Sequence, residues 1–458
     1  MSSSQLIPGL PNDVSLQCLA RIPRYEHPII SLVCKSWKSS LHSHALFTTR
    51  SLLHISQPFL YLNLRIHNNF SWYLLIHKTP TKHVLVKLPS LPIHNITNLP
   101  KTQLFRTNFE LKSTIEASST GNFKSAHLID VPKRQQIGTN LAVRTVIEDS
   151  SGNLKNTHVI DVPKRQQIGT NFAVQTQIKP NEQNTYVKVE PFGLSHLINV
   201  PKRQPIGPSF AVLGSSIYMI GGSHDEIPSN SMWVFDCRFN VWAMGPKMRV
   251  GREFSAAGVV DGKIYVMGGC VVDNWARSMN WAEVFDPVKG EWAPVLSPIE
   301  VRDKWMHASA VIGGKVYAMA DRGGVVYDVR KGEWGSVTKR LDLGWRGRAA
   351  VVGGVLYCYD YLGKIRGYDV GEDRWKELRG VEKGLPKFLC GATMVNFDGR
   401  LCVVWEGKGS GKEVEIMCAE IEVKKDVDGG LSGVILWSDM ILVVPNSSSI
   451  VQCLVVEV

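Results

Sequence analysis

The 458 residues carry 52 Lys/Arg against 41 Asp/Glu, a net charge of +11, and 44% are hydrophobic. That length holds one small and one large domain with an ample core, and no run of about 20 apolar residues is present, which excludes a helical membrane span. The nine cysteines are scattered, odd in number and without a Cys-x-x-Cys pair, so reduced, buried thiols are expected, with no disulfide frame and no zinc site.

The chain opens on MSSSQLIPGLP, which lacks the basic and apolar regions of a signal peptide. Residues 6–50 then show helical spacing. Val14, Leu16, Leu19 and Ile22 form one short apolar face, with Pro11 just ahead of Asn12-Asp13 as a helix start. A second helix is predicted over about 28–42, with Ile29, Leu32, Val33, Trp37 and Leu41 at three- and four-residue steps. About 45 residues cannot bury an independent core, so this head should leave an apolar surface for another protein to cover.

FLYLNLRI (59–66), SWYLLIHK (71–78) and HVLVKLP (83–89) alternate as strands do. They make a first sheet unit at 59–90 that lacks one strand, which ILVV (441–444) or IVQCLVVEV (450–458) could supply, clasping the chain ends together. Residues 101–205 break the pattern. HLIDVPKRQQIGTNLAV (127–143) recurs at 158–174 and 196–212, and only the third copy runs on into strands. We read a duplicated leading strand inside a loose, turn-rich insertion. Its Lys-Arg pairs at 133–134, 164–165 and 202–203 could form a basic docking arm, although a duplication without a role explains them more simply.

From 209 onward one unit repeats. Its fullest copy, Arg252–Trp292, holds four strand signals: FSAAGVV, KIYVMGG, AEVFDP and EWAPV, separated by Asp261-Gly262, Gly268-Gly269 and Lys289-Gly290. Copies end on Trp242, Trp292, Trp334, Trp375 and Trp437, in steps of 50, 42, 41 and 62 residues. A four-stranded unit of about 40–50 residues is the signature of a propeller blade. With the unit at 59–90 the count is six. The net charge is +7 over residues 1–100, +6 over 101–210 and −2 over 211–458, so the basic excess belongs to the front of the chain and suits an acidic partner there.

A diglycine closing the second strand, a "YD"-like third strand and a Trp in the fourth resemble the kelch repeat, although Ala320-Asp321, Tyr359-Asp360 and Val404-Trp405 replace the diglycine in later copies. The head resembles an F-box, the helical motif that binds Skp1 in SCF ubiquitin ligases. Leu10, Pro11, Asp13, Leu16, Leu19 and Ile22 match its first segment, and Leu32, Val33, Cys34 and Trp37 its second. Together the two resemble the plant F-box/kelch-repeat family, as does the run Trp281-Ala282-Glu283-Val284-Phe285-Asp286-Pro287.

The resemblance implies a mainly β fold, a six-bladed kelch β-propeller over 59–458 preceded by a short α-helical F-box over 6–50. It implies a substrate-recognition subunit of an SCF-type ligase: the ten head residues above bind a Skp1-like adaptor, with cullin and RING subunits reached through it, and the propeller binds a target protein. Residues just before each inner strand should line the target rim: Arg249, Arg252, Arg302, Trp305, Arg346, Arg348 and Lys387. A kelch scaffold without a ligase role is the alternative. No catalytic motif is present, and His42 and His44 lack a partner at metal spacing. Asp236, Asp286, Asp328 and Asp369 recur as turn residues rather than as a carboxylate pair. The expectation is therefore a non-enzyme without metal or cofactor, without nucleic-acid or membrane partners, and cytoplasmic or nuclear.

Overall fold

A computed structural model describes residues 5–91 and 205–458, apart from 68, 80–81, 225–226, 271–278, 303, 305, 321–322, 361 and 390, together with five strands between Ser125 and Glu190. The chain divides into two units, Met1–Leu91 with Arg203–Val458, and Pro92–Lys202.

The first unit is mainly β after a helical head. Ladder I orders Ser449–Glu457, Pro58–Ile66, Asn69–Thr79 and Lys82–Lys87. Ladder II has Ser209–Leu213, Ser216–Ile220, Met232–Asp236 and Val241–Met244 in sequence order. Ladder III has Ala256–Val260, Lys263–Met267, Ala282–Asp286 and Glu291–Val295, and ladder IV has Met306–Ile312, Lys315–Ala320, Val325–Asp328 and Glu333–Ser336. Ladder V (Ala350–Val352, Val355–Tyr359, Ile365–Asp369, Arg374–Arg379) and ladder VI (Thr393–Phe397, Arg400–Lys408, Glu413–Lys425, Leu431–Pro445) share one eight-stranded sheet. Only two parallel pairs, Leu378 with Leu431 and Arg379 with Ser432, join them. Within every ladder the neighbours run antiparallel.

The first strand of each ladder touches the first strand of the next, from I through VI and back to I, which gives a propeller-like ring. Small and branched residues make that close approach possible. Ala211, Ala257, Gly258, Val311 and Leu454 line a central cavity of about 380 Å³, and a side chain at Gly258 would overlap Val311 and Val316 of ladder IV. Between chain ends, Tyr61 pairs with Leu454 and Phe59 with Val456, and Gln57 and Val458 exchange backbone N–H···O bonds of 3.0 and 2.9 Å. Ile441–Val444 belongs instead to the last strand of ladder VI.

The repeated tryptophans tie each ladder to the one before. Trp292 Nε1 donates to Pro246 O at 3.0 Å, Trp334 Nε1 to Leu296 O at 2.7 Å, Trp375 Nε1 to Arg340 O at 2.8 Å and Trp242 Nε1 to Pro89 O at 3.3 Å. Each acceptor follows the outer strand of the preceding ladder, so an indole that is buried (Trp242, Trp292) or half-buried (Trp334, Trp375) spends its polar edge on the neighbour. Trp437 departs from the pattern and bonds Glu420 Oε2 at 2.7 Å.

The recurring aspartates are turn residues. Asp286 Oδ1 accepts from the Val288 and Lys289 N–H groups, Asp369 Oδ1 from Gly371 and Glu372, and Asp328 Oδ1 from Lys331. Lys263, Lys425 and Lys315 stand beside these three and, with the turn amides, hold their carboxyls below the usual range.

In the second unit, Ser125–Asp130 pairs with Asn171–Thr176, and Ala142–Glu148 pairs with both Leu154–Asp161 and Val187–Glu190. Ser125–Asp130 and Leu154–Asp161 include the HLID and HVID stretches of the recurring sequence. The Lys-Arg pairs at 133–134, 164–165 and 202–203 lie outside the described residues.

Candidate functional site

The head contains four helices: α1 (Asn12–Ala20), α2 (His27–Ile30), α3 (Lys35–Leu41) and α4 (His44–Leu52). The single helix expected over 28–42 is therefore two, because the chain turns through 31–34. Leu32 N and Val33 N bond back to Ile29 O and Ile30 O, and Cys34 is fully extended. Helix α4, which the sequence reading missed, starts where the Ser43 hydroxyl accepts the Leu46 N–H at 3.2 Å.

Leu19, Ala20, Leu41 and Leu46 form the core of the head, with Leu16, Ile22 and Trp37 half-buried against it. Trp37 Nε1 donates to Leu6 O at 2.8 Å, which ties the leading segment that carries Leu10 and Pro11 to α3. Arg50 is buried and holds the helices by their carbonyls, reaching Ala20 O at 2.6 Å, Ile22 O at 3.0 Å and Ile55 O at 3.1 Å. His27 is also buried; loss of water lowers its pKa to about 4.

One side of the head is fixed to the propeller. Arg24 Nη2 donates to Cys237 O and to Arg238 O, and its guanidinium lies 5.3 Å from the Phe59 ring. His44 and Phe47 pack on Phe239, with centroids 4.6 and 5.4 Å apart. Another part of its surface is uncovered among the described residues. Ile29, Leu32 and Val33 are 63%, 83% and 60% exposed, with Pro11, Asp13, Val14 and Cys34 also exposed. Of the ten head residues chosen from sequence, Pro11, Asp13, Leu32, Val33 and Cys34 stand at the surface, Leu10, Leu16, Ile22 and Trp37 are half-buried, and Leu19 is core.

Two of eight described cysteines, Cys18 and Cys34, are exposed, which corrects the expectation of uniformly buried thiols: both lie on the small head, whose core is too thin to cover them. Cys402 and Cys418 lie with Sγ atoms 3.5 Å apart in the core, where burial raises the Cys418 pKa.

Ladder geometry sets which propeller face is free. In an antiparallel four-stranded unit, turns one and three fall at one end, and turn two and the link to the next unit at the other. Cys237–Phe239 is a third turn, and Val458 ends an inner strand at that same end, so the head sits on the face of the first and third turns. The rim residues belong to the opposite face. Arg249 and Lys387 are exposed there. Arg348 is exposed and bonds Ile450 O at 3.4 Å. Arg302 and Arg346 are half-buried, with bonds to Ser297 O and Trp345 O. Trp305 lies outside the described residues.

Arg252 is a correction: it is wholly buried, as is Glu283. Its Nη1 donates to Gly268 O and Trp281 O, both at 2.7 Å, and its Nη2 donates to Asn280 O and to Glu283 Oε2 at 2.9 Å. Glu283 Oε1 also accepts the Arg249 N–H at 2.9 Å. A cation buried and held by both terminal nitrogens in its own fold is an internal bolt and not a target contact. Among the described residues no cluster of three or more His, Cys, Asp or Glu is arranged to hold a metal, and no helix is long and apolar enough to cross a membrane.

These features define the class: a helical adaptor-type head with an open apolar turn, fused to a propeller-like ring. The F-box domain model matches residues 7–49, and the FKB95, Kelch-repeats domain model matches residues 175–442. The F-box/kelch-repeat protein At4g39550 of Arabidopsis thaliana is 30% identical over 457 residues, covering 98% of this chain and 93% of the relative. At4g39580 from the same plant is 28% identical over 458 residues, with the same coverage. The chain belongs to the F-box/kelch-repeat family. That domain pair is, in general, the substrate-adaptor architecture of SCF-type ligases, and its members are generally non-catalytic.

Proposed function

We propose that this chain is a substrate receptor of an SCF-type ubiquitin ligase. The head binds a Skp1-like adaptor through Ile29, Leu32 and Val33, with Pro11 and Val14 also exposed on the head. The propeller face opposite the head holds a target protein for ubiquitination and degradation. The chain itself does no chemistry; it raises the effective concentration of target lysines near a separate ubiquitin-carrying enzyme.

One observation carries the reading: an apolar turn with Ile29, Leu32 and Val33 exposed, on a head whose other side is fixed to its own ring. Apolar groups of that size gain about 1.5–3 kcal/mol each when a partner covers them. Both Leu32 and Val33 are exposed, so Leu32→Glu with Val33→Glu should leave the fold intact. Co-purification decides: the full chain should retain a Skp1-like adaptor and the double variant should lose it. Adaptor recovery unchanged by the double variant, or absent from the unaltered chain, overturns the assignment and leaves a kelch scaffold.

A further inference from the structure

The two ends of the ring differ in charge. Read from the full sequence with 92–204 set aside, the segments between second and third strands and between ladders, at the end away from the head, carry twelve Lys/Arg against nine Asp/Glu. This leaves out the buried Arg252 and the short helix α5 (Lys339–Gly344), which packs on the outer strand Arg374–Arg379. The first and third turns, at the head's end, carry four Lys/Arg against six Asp/Glu. The ring is nearly neutral as a whole, so this polarity is hidden in its net charge.

The basic end also carries large exposed aromatic and leucine side chains. Phe388 is 71% exposed, Leu362 61% and Phe254 54%. Phe254 is held in place: its φ is +49°, its N–H donates to Gly207 O at 2.6 Å, and its ring covers Gly207 closely enough to exclude any side chain there. Lys387 adjoins Phe388 in sequence, and Arg249 leads the loop that ends with Phe254. Neither the Arg249 guanidinium nor the Lys387 ammonium forms an ion pair among the described residues. Cations and apolar anchors on one face match a segment that alternates acidic and large apolar residues, since the acids bond the rim and the anchors bury against it.

Resting on the receptor reading, we infer that the target is captured through an acidic, extended peptide segment bearing Phe- or Leu-like anchors. A polyphosphate chain suits the face less well, because it offers nothing to cover Phe388, Leu362 and Phe254.

The test uses the purified full chain and three fluorescein-labelled probes: a peptide of about 12 residues alternating Glu/Asp with Phe and Leu, the same peptide with Lys for every acid, and a single-stranded oligonucleotide of equal length. The acidic peptide should bind best, and more weakly as NaCl rises. Arg249→Glu with Lys387→Glu should weaken it about tenfold, whereas Lys289→Glu with Lys331→Glu, in turns at the head's end, should leave it within about twofold. Equal binding of the Lys peptide, preference for the oligonucleotide, absence of binding, or loss through the head-end pair overturns the inference. Adaptor recovery measured on the same variants separates the two readings: the rim variants should keep the adaptor, and Leu32→Glu should lose it while keeping the peptide.

Discussion

Glu283→Ala tests the buried bolt. The substitution removes the carboxylate paired with Arg252 and leaves a wholly buried guanidinium facing three carbonyls, Gly268 O, Trp281 O and Asn280 O. Those carbonyls carry only partial charge. Removing one partner of a buried pair costs about 3–5 kcal/mol, and the Arg249 N–H also loses its acceptor. Glu283→Gln keeps the shape and an accepting oxygen while removing the charge, so it should cost less, about 1.5–3 kcal/mol. Urea unfolding followed by tryptophan fluorescence reads both, because Trp281 and Trp292 lie in this ladder. Hydrogen exchange should localise the loosening to ladders II and III, since Arg252 also accepts from Gly222 N and donates to Ser229 O through its backbone. A shift below about 1 kcal/mol for Glu283→Ala, or equal costs for the two variants, would refute the claim that a buried charge pair bolts these ladders.

Further outcomes are expected. Deleting 449–458 removes the inner strand of ladder I and bares the Pro58–Ile66 edge; the truncated chain should aggregate in size-exclusion chromatography, and a soluble monomer would contradict a ring dependent on that strand. Trp292→Phe keeps most of the packing and loses one indole bond to Pro246 O; about 1 kcal/mol should go, measured by urea midpoint. His27, buried and lowered to about 4 from 6.5, binds a proton in the unfolded chain before it does in the folded one. Its contribution is therefore fully present above pH 6.5 and is lost as pH falls through 6.5 to 4, by up to about 3 kcal/mol. His27→Gln should flatten head stability, read by exchange in α1–α4, across that window.

The propeller was legible because its signals are local. Strand alternation, turn glycines and one Trp per unit recur in fixed order, and each is set by neighbours within a few residues. The chemistry of the rim was not. Arg249 and Arg252 look alike in sequence, yet one is exposed and the other buried, and the difference is made by Glu283, 31 positions away in another strand. One cue was present: Glu283 stands two residues before Phe285 and so on the same face of the strand, and that face is the buried one. The head was misread at 31–34 for a related reason. Ile29, Leu32 and Val33 fit helical spacing, but they are exposed among the described residues, so the spacing marked a surface instead of a core.

The position of the head on the ring constrains how any bound target could be presented. The head is fixed by Arg24, Phe47 and the Gln57–Val458 exchange to the end of the first and third turns, and the basic face lies at the other end. A target on that face is separated from an adaptor by the full thickness of the ring, so the junction must be stiff for the spacing to mean anything. Arg24 is the residue that makes it so, gripping two carbonyls of one turn while lying against Phe59. Arg24→Ala should leave adaptor binding and propeller stability each near normal while raising protease cleavage between the head and the first strand, around 53–57. If cleavage there is unchanged, the junction owes its stiffness to Phe47 and His44 on Phe239, and Phe239→Ala should then release it.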